Sequence, residues 1–115
     1  RRYLPPKGAV YVGTINLPIL GMQTFMMTIV SRSVVRITLT GAMNLDEEAA
    51  YRDERIAETP VVRLLMSFNE PTRQLLGRYK TTIRSTLYYA EGDYGVLVIS
   101  PLILPAIRVR MERRR

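Results

Sequence analysis

The chain has 115 residues, 47% of them hydrophobic, and its 17 bases against 10 acids leave a formal charge of +7. That length supports one hydrophobic core and is too short for two, while the complete lack of cysteine and histidine excludes disulfides, Cys/His zinc sites, thiol nucleophiles and imidazole bases. The longest apolar run, Gly95 to Ile107, is interrupted by Pro101 and Pro105 and falls short of the roughly 20 residues that a membrane helix needs.

In chain order, Arg1 to Gly8 holds two adjacent prolines and three bases, which predicts an extended N-terminal arm over residues 1–8. The chain starts at Arg1 without a methionine, which reads as a processed or trimmed product. Ala9 to Ile15 is the first expected strand, with Gly13 allowing a bulge or a close approach of backbones. Asn16 to Met22 is expected to be a turn, yet Leu17, Pro18, Ile19 and Leu20 fill it with aliphatic side chains.

Gln23 to Gly41 carries the strongest local signal. Phe25, Met27 and Ile29 alternate with Thr24, Thr28 and Val30; after Ser31-Arg32-Ser33, Val35, Ile37 and Leu39 alternate with Val34, Arg36, Thr38 and Thr40. This period of two, rich in β-branched residues, predicts a half-buried antiparallel hairpin. Gly41 to Glu58 is ambiguous. The Asn44–Glu47 spacing fits a capping box and Asp46 to Arg55 contains good helix formers, whereas closing an up-and-down barrel of even strand count asks for a strand over Ala49 to Ile56.

Val61 to Phe68 reads as a strand with Val62, Leu64, Met66 and Phe68 inward and Arg63 outward. Asn69 to Gly77 reads as a short helix with a cap residue, an early proline and a terminal glycine, suited to plug one end of a barrel. Arg78 to Ala90 is expected to be the longest strand, with Ile83, Leu87 and Tyr89 on one face and Arg84, Thr86 and Tyr88 on the other, and Glu91-Gly92-Asp93 turns the chain. The nearly all-apolar strand Tyr94 to Ile99 leads into a second proline-bounded aliphatic loop, Pro101, Leu102, Ile103, Leu104 and Pro105. The last strand, Ala106 to Glu112, places Ile107, Val109 and Met111 inward and Arg108, Arg110 and Glu112 outward, with residues 113–115 as a basic tail. The expected fold is all-β: an antiparallel up-and-down meander barrel of seven or eight strands over residues 9–112, with one short helix.

Three features prompt a comparison with a known family: Tyr11-x-Gly13-x-Ile15 on the first strand, Thr38-x-Thr40-Gly41 followed by Asn44-x-Asp46-Glu47, and Arg108-x-Arg110 on the closing strand. In this layout the chain resembles the small calycin-like barrels, the plastid lipocalin-like and lipid-associated proteins. The first-strand tryptophan typical of lipocalins is absent, because the chain has no tryptophan. The resemblance implies the barrel fold and an organellar, plastid-favoured location, and assigns no ligand-binding residue. A second likeness, of Glu91 to Val98 to the aromatic strand of RNA-recognition domains, lacks the leading base and the second stacking aromatic.

Six of the ten acids fall between Asp46 and Glu58; without calcium-loop spacing they read as an acidic solvated turn rather than as a cation site or a catalytic pair. No catalytic or metal-ligating residues and no cofactor are expected, an apolar ligand apart, and the chain is not expected to be an enzyme. Arg36, Arg63, Arg84, Arg108 and Arg110 share outward parity and would form a basic band, either as a docking surface or as a solvated, partly salt-bridged face. The aliphatic loops Leu17 to Leu20 and Pro101 to Leu104 read either as a docking surface or as lids over the barrel mouth; if Ala49 to Ile56 is a strand they share one end with the helix and form one patch, and if it is a helix they lie at opposite ends. The leading functional expectation is a non-catalytic accessory subunit docked peripherally on a larger organellar assembly, such as a photosynthetic membrane complex. The alternatives are a calycin-like carrier of an apolar ligand, lipid or pigment, and an RNA-binding or ribosome-associated accessory protein. The larger protein assembly is the favoured partner, with peripheral membrane contact and nucleic acid behind it and no transmembrane segment.

Overall fold

The computed structural model describes residues 6–17, 21–41, 44–55, 61–78, 80–88, 94–102 and 105–114. Eight strands follow one another, β1 (Val10–Leu17), β2 (Gly21–Ile29), β3 (Val34–Gly41), β4 (Leu45–Arg55), β5 (Val61–Ser67), β6 (Thr82–Tyr88), β7 (Tyr94–Ser100) and β8 (Ile107–Arg114), with the helix α1 (Glu70–Arg78) between β5 and β6. Each strand pairs antiparallel with its neighbours in the chain, and β8 returns to pair with β1, so the sheet closes into the expected up-and-down barrel with eight strands. Closure removes the unpaired strand edges that an open sheet would present to other chains.

Alternation sets which side chains enter the barrel. Phe25, Met27 and Ile29 on β2, Val35, Ile37 and Leu39 on β3, Leu64 on β5 and Val109 and Met111 on β8 are all buried, as the period of two requires. Gly13 lies on the same inward face of β1, and its role is a close approach: a Cβ there would come within 2.6 Å of the Arg110 carbonyl oxygen and 2.7 Å of Val109 Cγ1. Without a side chain at Gly13, β1 and β8 come together where Val10, Tyr11 and Val12 pair with Arg114, Arg113 and Glu112.

Several boundaries differ from expectation. The ambiguous segment is a strand, and β4, with 11 residues, is the longest in the barrel; its pairing with both β3 and β5 outweighs the helical propensity of its Glu and Ala residues. The strand expected over Arg78 to Ala90 is the seven-residue β6, because Arg78 still belongs to α1 and the residues after it form the helix stop. Thr81 N–H donates to the Leu76 carbonyl (2.9 Å) and Lys80 N–H to the Gly77 carbonyl (3.1 Å), with Lys80 in the left-handed region at φ 48°. This is a Schellman stop in which Lys80 stands where glycine is usual, and Gly77 is inside the helix rather than past its end. Asn16, Leu17, Gly21 and Met22 extend the β1–β2 ladder instead of forming a loop. Arg113 and Arg114 are ladder residues of β8 and not a tail. Pro6 to Ala9 closes a turn, with Ala9 N–H donating to the Pro6 carbonyl (3.0 Å), so the described end of the N-terminal arm is not extended; residues 1–5 lie outside the described residues.

Antiparallel order sends alternate connections to alternate ends. The β1–β2, β3–β4 and β7–β8 connections share the helix end with α1, and the chain enters and leaves the barrel at the far end. The far end is packed: Tyr11, Met27, Ile29, Val35, Tyr51 and Met111 are buried, and the Tyr51 hydroxyl donates to the Ser31 carbonyl (2.9 Å), tying β4 to the β2–β3 turn.

Candidate functional site

At the helix end the interior is not filled. A cavity of about 480 Å³ opens beneath α1, within the size range of small-molecule sites. Its barrel wall is Phe25 from β2, Ile37 and Leu39 from β3, Leu45 from β4, Ile83 from β6 and Leu97 and Ile99 from β7; Phe68, Thr72, Leu75, Leu76, Thr81 and Pro101 close it from the helix side. Among the described residues no charged side chain lines it, and the side-chain polar groups on its lining are the two threonine hydroxyls. Such a lining favours apolar surface and provides no counter-charge for an ion inside. An eight-stranded barrel is wide enough to hold one small ligand.

The helix that roofs the cavity is held by a buried carboxylate. Glu47 points inward from β4 and is buried. Its Oε1 accepts from Asn69 N–H (3.1 Å), and its Oε2 accepts from the Thr72 hydroxyl, while Asn69 Oδ1 accepts from Thr72 N–H (3.0 Å). Asn69 is therefore the cap of α1, as its sequence suggests, and Glu47 takes the part that a Glu at the third helical position plays in a capping box. The sequence pairs Glu47 with Asn44 as a local box; in the fold Asn44 Oδ1 instead accepts from Gly41 N–H (3.4 Å), and Glu47 caps a helix that starts more than twenty residues later.

The outer face explains the acids and divides the arginines. On β4, Asp46, Glu48 and Glu54 face outward and exposed, so these acids belong to a strand and not to a solvated turn. Arg36 on β3 grips Asp46 with two donors, Nε to Oδ1 at 2.7 Å and Nη2 to Oδ2 at 2.5 Å, and Arg63 on β5 reaches Glu54 at 3.1 Å. Arg110 pairs with Glu112 and stacks over the Tyr94 ring, 3.7 Å from its centroid. Arg84 and Arg108 flank Val98 in one row across β6, β7 and β8 and make no ion pair among the described residues. The five arginines do not form one band: β4 and its acids separate Arg36 from Arg63, and three of the five are ion-paired.

Of the expected docking loops, Leu17 is half-buried on β1, Pro101 lines the cavity and Leu102 is 66% exposed. Pro18, Ile19, Leu20, Ile103 and Leu104 lie outside the described residues. Met22 (57% exposed) and Leu75 (47%) join Leu102 as the large exposed hydrophobics among the described residues, and all three are at the helix end. Sequence reasoning missed Met22, placed in a turn, and Leu75, which lies in the expected helix without a role of its own. A shallower hollow of about 290 Å³ on β4 and β5, beside Arg52 and Ser67, is open and of mixed polarity.

Among the described residues no cluster of three or more His, Cys, Asp or Glu side chains could hold a metal ion, and no described helix is long and apolar enough to cross a membrane. Comparison with protein families, with curated proteins and with solved structures finds no match to this chain.

Proposed function

We propose that this protein is a calycin-like carrier that holds an apolar ligand, of the lipid or pigment class, in the barrel beneath α1. The observation that carries the reading is the apolar cavity of about 480 Å³ at the helix end of the barrel, while Tyr11, Met27, Ile29, Val35, Tyr51 and Met111 are buried toward the other end. A single open compartment with an apolar wall and a helical roof sequesters hydrocarbon from water, and each buried methylene contributes about 0.8 kcal/mol. The apolar inner face and the charged outer face are the reverse of the polarity of a membrane-spanning barrel.

The test is titration with a neutral, apolar naphthylamine dye whose fluorescence rises out of water. The parent protein should bind one dye per chain. Ile99→Phe adds bulk to the cavity wall and should weaken binding by about tenfold or more while leaving the urea midpoint nearly unchanged, because the added ring enters empty space. A folded Ile99→Phe protein that binds the dye as the parent does would place the dye elsewhere and sink the proposal.

A second reading, a non-catalytic accessory subunit of a larger assembly, is favoured by the exposed Met22, Leu75 and Leu102 at one end, since grouped exposed apolar side chains mark interfaces. Its test is co-purification at fixed stoichiometry with a partner, lost in Leu102→Glu.

A further inference from the structure

The rim around the cavity mouth is chemically lopsided. Leu75 lines the cavity and is 47% exposed, and Leu102 follows the lining residue Pro101 and is 66% exposed. Apolar surface thus continues from the interior out onto the rim. On the same side stand four exposed cations: Arg78 in the last turn of α1, Lys80 beside the lining residue Thr81, Arg84 near the start of β6 and Arg108 near the start of β8. None of the four makes an ion pair among the described residues. Of the exposed acids, Asp46 and Glu54 on β4 are held by Arg36 and Arg63, and Glu70 in the first turn of α1 is held by Arg73, while Glu48 on β4 is exposed. Between Gln74 and Met111 the sequence has only Glu91 and Asp93 as acids, and both lie outside the described residues.

We infer that the helix end is a docking face for an anionic lipid bilayer, which puts the cavity mouth against the membrane so that an apolar ligand passes between bilayer and barrel without crossing water. The inference rests on the carrier reading and adds the source of the ligand. The occupant is chosen by the combination of groups: protruding aliphatic side chains enter the acyl region, and the exposed Lys and Arg beside them, without an ion pair among the described residues, meet headgroup phosphates. A hydrocarbon ligand leaving water-free lipid for an apolar cavity needs the continuous apolar path that Leu75 and Leu102 supply.

The experiment is sedimentation of the full chain with vesicles of phosphatidylcholine alone and of phosphatidylcholine with an equal part of phosphatidylglycerol. Binding is expected for the mixed vesicles, weakened by salt, and much less for the neutral ones. The double variant Arg84→Glu/Arg108→Glu and the single variant Leu102→Glu should each weaken binding by on the order of tenfold or more. In the arginine double variant the affinity for the naphthylamine dye in the absence of vesicles should stay at the parent's value, which also shows that it folds; that Leu102→Glu folds is read from a urea midpoint near the parent's. Equal binding to both vesicle types, no binding to either, or variants that sediment as the parent does would each overturn the inference; a chain that instead co-purifies with one protein at fixed stoichiometry while ignoring vesicles assigns the rim to a protein partner and overturns it too. Failure of dye binding with vesicle binding intact would sink the carrier reading and leave the membrane face standing, so the two are separable.

Discussion

The Arg36 and Asp46 side chains show how a charged outer face is satisfied without being buried. The hydrogen bonds from Arg36, with its charge adding to them, hold the Asp46 carboxyl below its ordinary range, and the same bonds raise the Arg36 guanidinium. Both side chains are about half exposed, so solvent and salt screen the pair. A carboxyl whose folded-state pKa is depressed contributes stability that is present above its unfolded value, about 3.9, and is lost as the pH falls through the folded-state value. Asp46→Asn should therefore be slightly less stable than the parent at neutral pH and low salt. The difference should close in high salt and vanish in strong acid, as read by urea midpoints across pH; a gap that widens in acid would contradict the pairing.

At the scale of elements, α1 is held less by its own sequence than by β4. The helix is nine residues long, with Thr72 as its buried residue, and helices this short are marginal in water without tertiary support. Glu47 supplies that support through Asn69 N–H and the Thr72 hydroxyl. Glu47→Ala leaves a part-buried backbone donor and a buried hydroxyl without their acceptor, at a cost of about 1–3 kcal/mol, and should increase amide exchange at Asn69 and Thr72 more than in the β2–β3 hairpin. Glu47→Gln keeps one acceptor oxygen and should lose less. If exchange rises equally throughout the chain, Glu47 supports the whole barrel and not the roof of the cavity. This contact also shows where sequence reading stops. The inward faces of β2, β3 and β8 follow from alternation alone, because their inward positions are apolar but for the buried Gln23 on β2 and, by parity, Arg113 near the end of β8, and a slip of register would expose them. Asn69 as a cap is equally local. Glu47 is not: Asn44 three residues before it makes a convincing local box, and only the fold shows that the helix it caps lies beyond β5. The β4 strand was legible only through the strand count, since its composition favours a helix and its pairing partners are remote. The cavity was not legible at all, because apolar inward residues look alike whether they touch one another or enclose a void; the height of α1 above them decides which.

For the whole molecule, the decisive contact is the one that makes a sheet into a barrel. β1 pairs with β2 along its whole length, from Val10 to Leu17, but with β8 through only three residue pairs in register, Val10 to Arg114, Tyr11 to Arg113 and Val12 to Glu112, and the next inward residue is Gly13. A methyl at Gly13 would meet a backbone oxygen, Arg110 O at 2.6 Å, as well as Val109 Cγ1 at 2.7 Å and Met111 Cγ at 3.1 Å. Side chains can rotate away from such a clash, but the carbonyl belongs to the closing strand and moves only if β8 moves. Gly13→Ala should therefore destabilise the protein by about 1–3 kcal/mol, against the small gain that alanine usually brings in the unfolded state. The consequence extends beyond stability: a strained seam exposes the facing edges of β1 and β8, each a template for pairing with another chain. Gly13→Ala is expected to show a lower urea midpoint together with concentration-dependent dimers in size-exclusion chromatography, and Gly77→Ala, at a helical glycine with open space around its Cβ position, is the control that should show neither. A Gly13→Ala protein as stable and as monomeric as the parent would mean that the seam has room to spare, and that closure of this barrel does not depend on the missing side chain.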